Sequence, residues 1–214
     1  ILIQLFLIDG HKITQDAFVS APDQLLIIRL RSEHPKGLNG SIQLSRPKDD
    51  GVATAKTFTK KGSLIMEGEV TQRKGAFDSK PNPILEGVQF QTLVKPNHQG
   101  GTVKTFENGI ELEGVKEIEL RIVSNSSYYH ENYKSENIKQ LNRAENYSFE
   151  DLKGRHIRDH QILFNRVDFD IITDNKLQKI PTDKRLNAIK EGAVDLELQE
   201  TLFHFGRYLV IASS

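Results

Sequence analysis

The densest group of chemistry-capable side chains is His156-Ile157-Arg158-Asp159-His160. On a helix, His156 and His160 stand one turn apart on one face with Asp159 beside them, and two imidazoles at that spacing can hold a zinc ion. The pattern H-E-x-x-H needs Glu directly after the first His, where Ile157 stands. The inverted pattern H-x-x-E-H needs Glu where the shorter Asp159 stands, which reaches a metal-bound water less easily. The chain has no cysteine, so thiolate metal sites, cysteine nucleophiles and disulfide scaffolds are excluded. The expectation is no metal and no cofactor. His156, Asp159, His160 and Arg166 are instead expected to form a hydrogen-bonded structural junction between helix and sandwich, with Arg166 able to grip a carboxylate bidentately.

Other constellations are weaker. Glu111, Glu113, Glu117 and Glu119 alternate with apolar residues, as the solvent face of a half-buried sheet does, and Glu191, Glu197 and Glu200 follow near the end. A glycosidase needs two carboxylates facing each other across a sugar, and these runs do not supply that pattern. Ser213-Ser214 lacks a G-x-S-x-G elbow. Gly37–Gly40 and Gly100-Gly101 lack the Lys-Ser/Thr of a phosphate loop. Tyr128, Tyr129 and Tyr133 are candidate sugar-contacting residues, since amphipathic rings stack on pyranoses; the competing reading is a loop packing its own aromatics.

The elements that must position these residues change character along the chain. Through Val123 the pattern is strands: Ile1–Ile8, Ile13–Ser20, Gln24–Arg31, Ser41–Leu44, Leu64–Thr71, Val88–Val94, Thr102–Phe106, Ile110–Glu113 and Glu117–Val123. Turn formers separate them: Pro35-Lys36-Gly37, Asp49-Asp50-Gly51, Lys61-Gly62, Pro81-Asn82-Pro83, Gln99-Gly100-Gly101 and Asn108-Gly109. The last is read as a type I′ hairpin turn. Such punctuation predicts an antiparallel β-sandwich. After Ser124 the signals are helical. Ser148 with Asp151 caps a helix running to about Arg166. Val167–Ile171 alternates and reads as one returning strand. Thr182 caps a second helix that stops at Gly192, and Asp195 caps a third, with Leu198, Leu202, Phe205 and Leu209 in one stripe.

The chain has 29 Lys+Arg and 29 Asp+Glu among its 214 residues, a net charge of zero that argues against nucleic acid or an anionic membrane as partner. Its longest apolar run, Ile1–Ile8, is shorter than the roughly 20 residues a bilayer needs. The abrupt apolar ends, Ile1–Ile8 and Tyr208–Ser214, read as those of a fragment, with strands missing before Ile1.

Two segments then stand out as a set. Leu152–Val167 carries H-x-x-D-H-x-x-L-F-x-R-V. Pro181-Thr182-Asp183-Lys184-Arg185-Leu186 is followed by Phe205-Gly206-Arg207-Tyr208-Leu209-Val210-Ile211-Ala212-Ser213-Ser214. In order and spacing they resemble glycoside hydrolase family 95, the inverting α-L-fucosidases and their α-L-galactosidase relatives. Ile13–Leu30 is similar to the family's F-x-S-x-P-D-x-x-x-x-R-L strand pair, with Gln15-Asp16 where the family often has Arg-Glu.

The resemblance implies a mainly β fold, an antiparallel β-supersandwich followed by a short α-helical linker segment. It places the latter part of the sandwich at residues 1–124, a linker at 125–180 and, at 181–214, the first helices leading into an (α/α)6 barrel. That barrel is the implied intramolecular partner and carries the catalysis, so no catalytic residue is assigned. The implied substrate is a glycan with terminal α-L-fucose, and the implied setting is the periplasm or exterior of a bacterium. Two alternatives stand beside it: an α-L-galactosidase of the same family, and a non-catalytic carbohydrate-binding or structural β-sandwich. Zero Trp counts against the binding module.

Overall fold

The structure, a computed structural model, describes residues 1–48, 55–70, 87–172 and 176–213. Its strands are β1 (Leu2–Ile8), β2 (His11–Ser20), β3 (Leu25–Ser32), β4 (Leu38–Gln43), β5 (Ala55–Lys60), β6 (Ser63–Val70), β7 (Val88–Gln99), β8 (Thr102–Phe106), β9 (Gly109–Val115) and β10 (Glu117–Ser126). Four α-helices follow: α1 (Tyr133–Ala144), α2 (Phe149–Phe164), α3 (Thr182–Lys190) and α4 (Leu196–Ser213). The chain divides into two compact units, Ile1–His156 and Ile157–Ser214.

The first unit is the expected antiparallel sandwich. Seven strands form one sheet in the order β1-β2-β3-β10-β7-β6-β5, and β4-β9-β8 form a second. The central strand β10 explains the layering. Ile118 and Leu120 pack with Leu64, Val94, Ile110, Leu112 and Val115 between the sheets. Val123, on the other face, joins Phe18, Ile27, Leu93, Leu141, Phe149 and Leu152 beneath α1 and the start of α2. A strand covered on both sides buries charge as well as apolar surface. Glu119, expected in solvent, is buried and accepts a 2.5 Å hydrogen bond from Arg121 Nε. Arg121 also donates to the carbonyls of Ala144 and Tyr147, so its cation sits at the C-terminal end of α1, where the helix dipole favours it.

The turns differ from expectation in an informative way. Asp9-Gly10 and Lys61-Gly62 both have positive φ and close the β1–β2 and β5–β6 hairpins. Asn108-Gly109 does lie at the β8–β9 hairpin, but Gly109 already pairs with Phe106 and neither residue has positive φ. The Phe106 ring lies over Gly109, so a Cβ there would require the ring to move. Gly37 and Gly101, weighed above as loop glycines, each approach the backbone around Gly114 too closely for a Cβ.

β5 carries a weak strand signal, because its Lys-Thr-Phe-Thr-Lys run has one large apolar residue. β7 is longer than expected and contains Pro96. Its pairing with β6 ends at Val94, so the missing N–H of Pro96 falls where β6 offers no partner. The turns expected at Asp49–Gly51 and Pro81–Pro83, together with Thr71 and Ser214, lie outside the described residues.

Candidate functional site

Within the sandwich unit, Ser148 opens α2 with a reciprocal cap. Its Oγ accepts from the Asp151 backbone N–H, and Asp151 Oδ2 accepts from the Ser148 N–H and hydroxyl. Phe149 and Leu152 are thereby driven into the core, and the His156 ring stacks on Phe18 at 5.2 Å between centroids. Arg29 lies 3.4 Å over the Phe149 ring and ion-pairs with buried Asp16 and with Glu150.

α1 is held to the sheet by an amide ladder. Asn137, fully buried, donates to Gln91 and accepts from Asn125; Asn125 also donates to Gln140, which donates to Gln24. Every member has a partner, as a buried polar network requires. Of the three tyrosines, Tyr133 is buried and donates to Gln89 Oε1 at 3.2 Å. Tyr128 and Tyr129 are 72% and 80% exposed and pack edge to face at 4.9 Å.

In the second unit the His160 ring stacks on Phe164 and tilts against Tyr208. Asp159 is exposed. Arg166 is exposed too and donates to Ile162 O, a carbonyl of the last turn of α2, rather than to a carboxylate. Among the described residues no three His, Cys, Asp or Glu side chains gather as a metal cage would need, and no helix is long and apolar enough to cross a membrane.

Val167–Ile171 is not a strand. Its alternate backbone groups are met by one face of α4. Arg207 donates to Val167 O at 2.6 Å, His204 Nε2 lies 2.7 Å from Phe169 O, and Glu200 accepts from Ile171 N–H at 2.9 Å. Residues 200, 204 and 207 share a helix face, so a period-two strap meets a helical polar stripe. Arg207 also donates to Phe164 O, covering the end of α2. The 4-then-3 spacing of Glu200, His204 and Arg207 was the available signal, hidden because the apolar stripe of the same helix draws attention first.

Thr182 is the first residue of α3; its N-cap is Pro181. Arg185 grips Asp195 through two bonds of 2.7 Å, and Asp195 Oδ1 accepts from the Leu198 N–H as the start of α4. The hydrogen bond from Arg185 holds the Asp195 carboxyl below the usual carboxylate range, against the opposing effect of burial. Asp183-x-Arg185 therefore contributes its arginine to a corner between helices.

Residues 3–131 match the glycosyl hydrolase family 65, N-terminal domain, and residues 148–214 match the glycosyl hydrolase family 95 catalytic domain. The chain carries a glycosyl hydrolase family 65-type N-terminal domain, matched over more than half of its length, and its C-terminal part is similar to the family 95 catalytic domain.

Similar proteins include Alpha-L-fucosidase 2 of Arabidopsis thaliana, 24% identical across 94% of this chain and 26% of that protein. Probable alpha-fucosidase A of Aspergillus niger is 29% identical across 58% of this chain and 17% of its own length. The chain thus spans about a quarter or less of these relatives. Among solved structures, a putative kojibiose phosphorylase from human microbiome is similar at a TM-score of 0.53 and 13% identity, over 83% of this chain and 25% of that one, a likeness of fold alone.

Proposed function

We propose that this chain is the sandwich and the entry to the catalytic domain of an enzyme that removes terminal α-L-fucose from glycans with inversion. The observation that carries the reading is the family 95 catalytic-domain match over residues 148–214, joined to relatives named as fucosidases. In this reading residues 1–124 are sandwich, 125–180 linker, and 181–214 the first helices of an (α/α)6 barrel. Inversion needs one carboxylic acid to protonate the leaving oxygen and a carboxylate to activate water on the opposite face. No residue of this chain is assigned either role, so the 214-residue chain alone is expected to be inactive.

His156, Asp159, His160 and Arg166 are read as structural. The stacking of His156 on Phe18 and of His160 on Phe164 supports that for the two imidazoles. Tyr128 and Tyr129 remain the sugar-contact candidates, supported by their exposure. L-Galactose differs from L-fucose by a hydroxyl at C6, so the galactosidase alternative is tested beside the first reading. The natural protein, spanning the length of its relatives, is assayed on aryl α-L-fucoside and α-L-galactoside, with the first anomer released followed by NMR. Fucoside turnover giving the inverted sugar is expected. Inactivity on both substrates, or retention, overturns the reading.

A further inference from the structure

We infer that a groove in the sandwich unit binds a saccharide bearing a carboxylate. The groove encloses about 450 Å³, within the range of small-molecule sites, between the β2–β3 turn and the segment that joins α1 to α2. Its lining includes Asp23, Gln24, Arg143, Asn146, Tyr147 and Arg155.

Several acceptors on its walls are already engaged. Asp23, almost fully buried, takes the Ser20 hydroxyl at 2.6 Å and Arg155 Nε at 2.9 Å. Gln24 Oε1 takes Gln140 Nε2. The carbonyls of Ala144 and Tyr147 take Arg121, and that of Arg143 takes the Asn146 side-chain amide. Donors remain. Arg155 is fixed by Asp23 through Nε and lies 4.7 Å over the Tyr147 ring, leaving its terminal guanidinium nitrogens as the larger part of its donor set. Arg143 adds a second guanidinium, held among the described residues by a long 3.4 Å contact to Glu136. Two guanidiniums on one wall favour an acceptor-rich anion, and guanidinium suits carboxylate in particular. The exposed Tyr147 ring beside them supplies a face for a pyranose, which a bare anion would not use.

The test is an NMR titration of the 214-residue chain with digalacturonate, with neutral digalactose and acetate as parallel arms. Saturable shifts at the Gln24, Asn146 and Tyr147 amides are expected with digalacturonate, with a Kd of roughly millimolar order. Arg143→Gln should weaken binding about fivefold, and Tyr147→Leu should weaken it while leaving the fold intact. Absence of saturable shifts overturns the proposal. So does equal binding of digalactose, which would mean that the acid is not read. Acetate binding as tightly as the disaccharide would make this a plain anion site and likewise overturn it. Arg143→Gln binding as the parent does would remove the groove from the explanation. None of these outcomes depends on fucoside turnover.

Discussion

The sandwich unit and the helical unit are built by opposite means. Residues 1–156 bury Ile13, Ile27, Leu64, Ile110, Ile118 and Leu152 almost completely, and their polar groups answer to that burial. In the described part of residues 157–214, Leu198 is the one apolar side chain in the buried class. Directional bonds hold that unit instead: Arg185 on Asp195, and Glu200, His204 and Arg207 on the strap. Its apolar stripe faces outward, with Leu202 at 68% and Phe205 at 54% exposure. Each such side chain forgoes roughly 1.5–3 kcal/mol of burial. The lesson is that a helix can be positioned by polar contacts well before its apolar face is covered. β1 is the sandwich's counterpart: an edge strand exposed on both faces, with Ile3, Leu5 and Leu7 outermost.

Substitutions can break this contrast. The largest effect is expected at Arg121→Leu. It strands buried Glu119 and frees two carbonyls at the end of α1, and should cost about 3–5 kcal/mol in urea unfolding of the sandwich. Adding Glu119→Leu should recover part of the loss, because the uncompensated charge is then gone. Next, Leu152→Ala should cost about 2–5 kcal/mol by opening a cavity beneath α2. If it costs no more than a surface change, the assignment of that core is wrong.

A third effect is pH-dependent. Asp195 has its carboxyl depressed in the folded state, so its contribution is complete above the ordinary carboxylate value of about 3.9 and fades as pH falls through the lower folded value. Acid titration followed by NMR should loosen the α3–α4 corner below that ordinary value, and Asp195→Asn should remove the dependence. The smallest effect is expected at Leu202→Ser, within about ±0.5 kcal/mol of the parent stability.

Local signals that carry their own geometry were legible. The Ser148–Asp151 cap, the Asp195 cap, the stop at Gly192 (φ +100°) and the Lys61-Gly62 hairpin each depend on residues within one turn of each other. The resemblance carried by His156–Val167 and Phe205–Ser214 reached the family. β5 was not legible, because Ala55–Lys60 gains its partner only from β6. Neither was the groove, whose lining comes from residues 21–24, 143, 144, 146, 147 and 155.

Glu119 and the strap mark the boundary between what sequence and structure decide. Alternation along Glu117–Val123 and along Val167–Ile171 was determined by residue order alone, since side chains of extended backbone point to opposite sides in turn. What lies on each side was not. Helices close over one face of β10, so Glu119 faces Arg121 rather than water. For the strap, α4 supplies side chains where a second strand would have supplied backbone. Periodicity fixes direction, whereas the identity of a neighbour comes from contacts between elements distant in the chain, and those exist only once the chain has folded.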